Sequence, residues 1–327
     1  MLLEKLLEGV GKLGWGLGMD NTFFGSLYVT LKYLGMNVSY PYLMGVSGMA
    51  FRIHFHREWC PSSNDATVGF NCGERGLRVL GLRYRVLVGD EPAMVEEERK
   101  AIVESINKGV PVLGIELSKA PDWGVITGYR EWGRVLLCRT YWDEGEEYSI
   151  AEKWPWAIVV FKEPFTMERR DGELLVRAFK LASTLWRTRM YDEYYSGRAA
   201  YMKWIAELEL DSRFRGRRGE ELMFINAWIY KSGLLDSRIA ATSYLRHMND
   251  RLDVDLSELV EGYEKLVEVL TEGVGYAPYP WEEQLSKWMG EGRHKLAQIL
   301  RRAMMMEGGL IKTMEELLPV LRTFSRT

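Results

Sequence analysis

The sequence contains few of the residues on which catalytic and metal sites are usually built. Its 327 residues include four histidines and three cysteines, and glutamine stands only at Gln284 and Gln298. No CxxC or HxxxH spacing occurs, which excludes the common zinc frameworks. Little glutamine beside abundant Glu, Arg and Lys is typical of proteins from thermophiles, although the sixteen methionines do not follow that bias.

Strong net charge and long apolar runs are also lacking. A net charge of -3 and a pI near 6.0 argue against a dedicated nucleic-acid partner. No apolar run approaches the roughly 20 residues that cross a bilayer, so we expect no membrane partner. The first residues carry Glu4 and Glu8 without the basic start of a signal peptide, and they predict a short amphipathic helix. The expected location is cytoplasmic.

The length of the chain predicts two domains, because 327 residues exceed a typical single core. Residues 1–165 mix helical and strand patterns, whereas residues 166–327 show apolar repeats at three and four residues. The fold class predicted is therefore α+β, with a first domain of helices and an antiparallel sheet followed by an all-α helical bundle. The predicted strands are 51–59, 83–88, 110–117, 123–130, 134–142 and 156–162.

One helix is marked especially well, between Asp20 and Gly35. Asp20 or Asn21 can cap the first turn, and Gly35 provides a left-handed stop. Between these ends, apolar residues recur at helical spacing: Phe23, Phe24, Leu27, Tyr28, Leu31 and Leu34. Residues 39–51, with Gly45 and Gly48, predict a glycine-rich turn after this helix.

Four segments together resemble the papain-like cysteine-peptidase fold in its bacteriocin-processing form. They are TFFGSLYVTLKYLG (22–35), LMGVSGMAF (43–51), GVPVLGIEL (109–117) and PDWGVITGY (121–129). The sequence is most similar to the N-terminal domain of butirosin biosynthesis protein H and its relatives, across residues 15–161. The resemblance implies a papain-like first domain, in which a cysteine heads the helix and a histidine begins a later strand.

The residues that carry the family's chemistry differ in this chain. Thr22 stands at the cysteine place, Asp122 stands at the histidine place (Trp123 if the register shifts by one), and the third place falls near Arg139 or Thr140. A thiol at a helix start acquires a low pKa and pairs with an imidazole. A threonine hydroxyl is much harder to ionise, and a carboxylate of ordinary pKa is a poor base for it.

The sequence therefore predicts a pseudoenzyme, a non-peptidase that binds a peptide or small molecule in an interdomain cleft without a cofactor. The residues expected to line this cleft are Asn21, Thr22, Phe23, Ser47, Asp122 and Trp123.

A second hypothesis uses the densest group of soft donors, which are His54, His56, Cys60 and Cys72. His54 and His56 share one face of a predicted strand, which suits a metal site or a thiol–imidazole pair. Such a site suggests a thiol- or metal-assisted acyl or amide transferase or hydrolase. A disulfide between Cys60 and Cys72, or buried thiols there, is the interpretation that the spacing favours over a metal site. A third hypothesis is a structural subunit that forms homo-oligomers through the helical domain.

Overall fold

A computed structural model describes residues 2–89, 91–165, 170–215 and 218–324. Its strands are β1 Lys5–Leu6, β2 His54–His56, β3 Arg83–Val88, β4 Val112–Ile115, β5 Trp123–Arg130, β6 Val135–Arg139, β7 Ser149–Ile150, β8 Ala157–Lys162, β9 Met190–Tyr191 and β10 Tyr194–Ser196. Its α-helices are α1 Thr22–Tyr33, α2 Tyr40–Ser47, α3 Cys72–Val79, α4 Pro92–Asn107, α5 Asp171–Arg187, α6 Gly197–Leu208, α7 Gly219–Trp228, α8 Asp236–Arg251, α9 Ser257–Glu272, α10 Leu285–Lys287 and α11 Arg293–Phe324.

The chain divides into two compact units, which we call the sheet unit and the helical unit. The sheet unit comprises residues 1–43 and 77–169, and the helical unit comprises residues 44–76 and 170–327. Residues 44–76 thus pack in the helical unit, although the boundary predicted at 165/166 groups them with the first domain. That boundary adjoins residues 166–169, which lie outside the described residues.

The sheet unit is built on a seven-stranded sheet in the order β3-β8-β4-β5-β6-β7, with β1 also paired to β5. All of these pairs are antiparallel; Val112 lies opposite Ile126, and Arg85 lies opposite Val160. Helices α1 and α4 pack against β5, whose residues are buried up to Tyr129. The mixture of helices with an antiparallel sheet confirms the α+β class.

The N-terminal segment is extended rather than helical, so the predicted amphipathic helix is wrong. Lys5 and Leu6 pair with Tyr129 and Gly128, and the Leu7 N–H donates to the Thr127 carbonyl at 2.8 Å. Gly128 permits this approach, since a Cβ there would lie 2.5 Å from the Lys5 carbonyl oxygen. Gly9 has a φ of +89°, which interrupts any helix after the first turn.

Residues 39–51 hold helix α2 where the sequence predicts a glycine-rich turn. Gly45 lies inside this helix, at a place where a Cβ would overlap the ring of Tyr244. This glycine therefore serves close packing rather than chain reversal. Gly48, with a φ of +84°, does adopt the left-handed turn expected after Ser47.

The helical unit contains one departure from the predicted all-α composition. Strands β9 and β10 form a hairpin, and β10 also pairs with β2, so that Ser196 faces His54 and Tyr194 faces His56. Apart from this hairpin, the described residues of the second half form helices and the loops between them, with no further strand. Strands this short leave little periodicity in the sequence, which is why the sequence did not predict them.

A buried ion pair helps to hold residues 44–76 in the helical unit. Arg238 on α8 and Glu307 on α11 lie 2.5 Å apart with both side chains fully buried. Arg238 also donates to the carbonyl oxygens of Ala50 and Arg52, at 3.1 and 3.0 Å. Tyr201 donates to the second carboxylate oxygen of Glu307 at 2.7 Å. Two carbonyl oxygens of the 44–76 segment therefore accept hydrogen bonds from the buried guanidinium of Arg238.

In the described part of the chain, no helix combines the length and the apolar character needed to span a bilayer.

Candidate functional site at the start of the first helix

Helix α1 starts at Thr22 because Asn21 caps it. Asn21 has an extended backbone, and its Oδ1 accepts a hydrogen bond from the Phe24 N–H at 3.1 Å. Its own N–H donates to the Tyr40 hydroxyl at 3.0 Å. Asn21 is buried, so these bonds hold the helix start in place. The capping role predicted for this residue is confirmed.

Thr22 joins the start of α1 to the start of β5. Its hydroxyl accepts a hydrogen bond from the backbone N–H of Trp123 at 3.3 Å. Beside it, the rings of Phe23 and Trp123 pack edge to face with centroids 5.1 Å apart. The helix start and the strand start therefore lie side by side. The resemblance places a thiol and an imidazole at these two positions, and the papain-like assignment itself stays a prediction.

The carboxylate of Asp122 is bonded to a tryptophan. Trp142 Nε1 donates to Asp122 Oδ2 at 3.1 Å, and Lys119 Nζ lies 5.9 Å from the centroid of the Trp142 ring. The Trp15 ring meets Trp142 edge to face at 6.2 Å. Trp142 is 39% exposed, so this corner presents an aromatic and charged surface to solvent. Neither Trp15 nor Trp142 was among the site residues predicted from the sequence; the run Thr140–Trp142, at the end of the strand predicted at 134–142, was the available signal.

Packing behind the helix start leaves no room for a larger side chain. A Cβ on Gly25 would overlap the Tyr141 hydroxyl, which donates to the Met19 carbonyl at 2.5 Å. Next to it, burial raises the pKa of Asp20, while the hydrogen bond that Asp20 accepts from the Gly16 N–H lowers it. Asp20 thus orders the preceding loop, and the cap itself is Asn21.

Arg139 and Thr140, near which the resemblance puts the third functional residue, both have structural roles. Arg139 is buried, donates to the Glu147 carbonyl at 2.8 Å and lies 3.9 Å from the centroid of the Tyr148 ring. Thr140 donates through its N–H and its hydroxyl to Asp143 Oδ1, at 3.1 and 2.8 Å. Neither side chain can orient an imidazole, because both are bonded to the 143–148 segment.

Ser47 belongs to the helical unit, where its hydroxyl serves the end of α2. It donates to the Met44 carbonyl at 3.1 Å and accepts from the Met49 N–H at 3.3 Å. The other five expected cleft residues, Asn21, Thr22, Phe23, Asp122 and Trp123, all lie in the sheet unit.

The histidines and cysteines of the second hypothesis form no metal cluster. In the described ranges, no three His, Cys, Asp or Glu side chains are placed to hold an ion. His54 is buried between Tyr191 and Tyr194, with ring centroids at 5.8 and 5.9 Å, and neither ring nitrogen has a hydrogen-bond partner among described residues. Burial, aided by the charge of Arg52, holds the pKa of His54 well below its usual value. His56 Nε2 instead lies 3.3 Å from Glu193.

All three cysteines are free, so of the two alternatives predicted for Cys60 and Cys72 the disulfide is wrong, and the buried thiol is found at Cys72. Burial raises the pKa of the Cys72 thiol to about 11 in spite of Arg52 and Arg75, and it raises that of Cys138 to about 12. Both thiols are therefore protonated at neutral pH. Cys60 is half-buried, and its sulfur accepts a hydrogen bond from the Ser62 hydroxyl at 2.8 Å.

A comparison with models of known protein families finds no match, and a comparison with curated proteins finds no significant one.

Proposed function

We propose that this chain is a papain-like protein without the family's thiol chemistry, and that it binds a peptide or small molecule at the start of α1. The observation that carries the proposal is the pairing of Thr22 with the Trp123 N–H. This bond connects the two elements that would bear a nucleophile and its base. In this bond the Thr22 hydroxyl is the acceptor, which is a role in positioning the strand rather than in nucleophilic attack.

The chemistry of the two side chains supports a binding role. A threonine hydroxyl needs a base with a pKa near the working pH, and an ordinary aspartate has a pKa of about 3.9. Asp122 Oδ2 already accepts a hydrogen bond from Trp142 Nε1, which occupies part of the carboxylate's accepting capacity. The pair therefore lacks the driving force for proton abstraction.

The surface around Asp122 supplies groups suited to recognition. Trp15 and Trp142 offer apolar ring area with polar nitrogens, and Asp122 and Lys119 offer opposite charges beside them. Aromatic rings with polar tips are favoured at recognition surfaces because they bury much area at low entropic cost. A peptide or a small polar molecule with an apolar portion fits this combination.

A screen of short peptides and polar metabolites by ligand-observed NMR tests the binding role. We expect compounds whose binding is lost in the Trp142→Ala variant and retained in Trp132→Ala. Trp132 is a matched control because it is also exposed and lies in the same unit. A screen without any compound that distinguishes these variants contradicts the proposal.

Labelling with a peptidyl vinyl sulfone tests the absence of thiol chemistry. We expect alkylation no faster than that of a free cysteine in solution, and confined to half-buried Cys60. Rapid stoichiometric labelling of one cysteine would favour the thiol-dependent transferase or hydrolase with His54 or His56 instead.

A further inference from the structure

A groove in the helical unit lies where the end of α5, the start of α6 and the face of α11 meet. Its volume is about 560 Å³, which falls within the range of roughly 300–1,000 Å³ typical of small-molecule sites. Trp186 and Arg189 come from the α5 end, Arg198 and Met202 from α6, and Ile311 and Lys312 from α11. No residue of this groove belongs to the site described above.

Two glycines and a serine shape the groove. Gly197 has a φ of +51°, and a Cβ there would overlap the backbone of Leu185 and Trp186. The Ser196 hydroxyl donates to the Leu185 carbonyl at 3.0 Å, which fixes the start of α6 against the end of α5. On the opposite side, a Cβ on Gly308 would lie 3.2 Å from the Trp186 ring. The three helices therefore meet at a defined geometry.

The charge of the groove is mainly positive. Its lining holds four cationic side chains, Arg187, Arg189, Arg198 and Lys312, against the single carboxylate of Glu315. Arg187 donates to Glu315 at 2.6 Å, and the Ser183 hydroxyl donates to the same carboxylate. The negative charge of Glu315 is thus already balanced by a neighbouring cation.

Two arginines remain available to a ligand. The side chains of Arg189 and Arg198 form no hydrogen bond or ion pair with any residue in the described ranges, and both are exposed. A guanidinium binds carboxylate or phosphate through two parallel hydrogen bonds, so it suits an anion better than a lysine does. Two such groups at one groove provide the charge complementarity for an anionic head group.

The remaining lining is apolar. Trp186 and Ile311 form part of the wall, and the side chain of Met202 is 53% exposed beside them. Exposed Met next to an aromatic ring is typical of surfaces that accept varied apolar groups. We propose that the groove binds a small organic anion, with its carboxylate or phosphate on Arg189 and Arg198 and its apolar body against Trp186, Met202 and Ile311.

Isothermal titration calorimetry of the full chain with four probes tests the proposal. The probes are 1-naphthoate, 1-naphthyl phosphate, 1-naphthylmethylamine and inorganic phosphate. We expect saturable one-to-one binding of one or both naphthyl anions, and no saturation with the naphthyl amine. The naphthyl anion that binds with the higher affinity shows whether the carboxylate or the phosphate is the preferred head group. Inorganic phosphate lacks the apolar body, so it should bind at least tenfold more weakly.

Variants locate the binding. We expect Arg189→Gln and Arg198→Gln each to lower the affinity for the naphthyl anion by about tenfold, because each variant loses a charge-assisted hydrogen bond. Arg215→Gln removes an equally exposed charge in the same unit outside the groove, and it should change the affinity less than twofold. Circular dichroism of each variant confirms that the fold is retained.

Several results overturn the proposal. An equal loss of affinity in Arg215→Gln shows attraction to overall charge rather than to the groove. Inorganic phosphate binding as tightly as naphthyl phosphate shows that the apolar wall has no part. Failure of both naphthyl anions to bind also overturns the proposal; a hepta-glutamate peptide, titrated as an additional probe, would in that case show by its binding that the cationic surface serves a protein partner.

Discussion

The hydroxyl of Thr22 accepts a hydrogen bond from the backbone N–H of Trp123, 3.3 Å away, and so ties the start of a helix to the start of a strand. The carboxylate of the neighbouring residue, Asp122, accepts a hydrogen bond from Trp142 Nε1. If the chain has the papain-like register, positions 22 and 122 are those at which a thiol and an imidazole would meet. Replacing both side chains therefore tests the register directly.

The Thr22→Cys/Asp122→His double variant should contain a reactive thiol. A cysteine at a helix start beside an imidazolium has a pKa of roughly 3.5–7.5, against about 8.5 for a free thiol. We expect alkylation by iodoacetamide at pH 7 to be about tenfold faster than in Thr22→Cys alone. The measurement is the rate against pH, in a Cys60→Ser background that removes the most accessible native thiol.

The Thr22→Cys/Asp122→Asn variant is the matched control, because it removes the carboxylate without adding an imidazole. Equal rates in this control and in the histidine variant would contradict the papain-like register.

The native cysteines should differ sharply in reactivity. Cys60 is half-buried, whereas Cys72 and Cys138 are buried with pKa values raised to about 11 and about 12. We expect one thiol to react with 5,5′-dithiobis(2-nitrobenzoate) in the native protein at pH 8, and three after denaturation without reductant. The Cys60→Ser variant should show no fast phase. A single thiol in the denatured protein would reveal a disulfide and contradict the structure.

His54 should make the stability of the helical unit depend on pH. Its pKa is well below the usual value of about 6.5, so below that pH the unfolded chain binds a proton that the folded chain does not. Stability is therefore full above pH 6.5 and falls as the pH decreases towards the folded pKa. The decrease attributable to His54 approaches about 1.4 kcal/mol per pH unit.

Urea denaturation between pH 5 and 8 measures this effect as the difference between the native chain and His54→Leu. The His294→Asn variant is the control, because His294 is exposed on α11. The prediction fails if the native chain and His54→Leu have parallel pH profiles.

The buried Arg238–Glu307 pair should dominate the stability of the helical unit. Glu307→Ala leaves a fully buried guanidinium without its counter-charge, which costs about 3–5 kcal/mol. Urea denaturation at pH 7 gives the free energy of unfolding. Glu264→Ala breaks the exposed Arg246–Glu264 pair on the surface of the same unit and should cost about 1 kcal/mol or less. A Glu307→Ala loss as small as that of Glu264→Ala would show that the guanidinium is solvated.

Local signals in the sequence predicted much of the sheet unit. The strand predicted at 83–88 is β3, and the one predicted at 123–130 is β5. The sequence also places Pro92 and Gly109, residue types that favour a helix start and a helix stop, at the two ends of a helical pattern; α4 begins at Pro92 and is followed by Gly109 with a φ of +81°. These predictions are confirmed because caps, prolines and strand alternation act within a few residues of the chain.

Long-range contacts account for the errors. Gly45 suggested a turn, but it lies within a helix, and the position has no room for a Cβ because the ring of Tyr244, 199 positions later, occupies that space. The hairpin of β9 and β10 depends on pairing with β2, more than 130 residues earlier. The groove at Arg189 and Arg198 requires three helices to meet, so no local pattern marks it.

By itself, the sequence determined the α+β class and the capped helix at Thr22, while the papain-like register that would set Thr22 and Asp122 at the cysteine and histidine places stays a prediction. Only the tertiary structure decided that Thr22 binds the Trp123 backbone, that the three thiols are free and that residues 44–76 pack with the helical unit. The physical reason is that capping and periodicity are properties of neighbouring residues. Burial, ion pairing and pKa values depend instead on residues that are distant in the chain and adjacent only after folding.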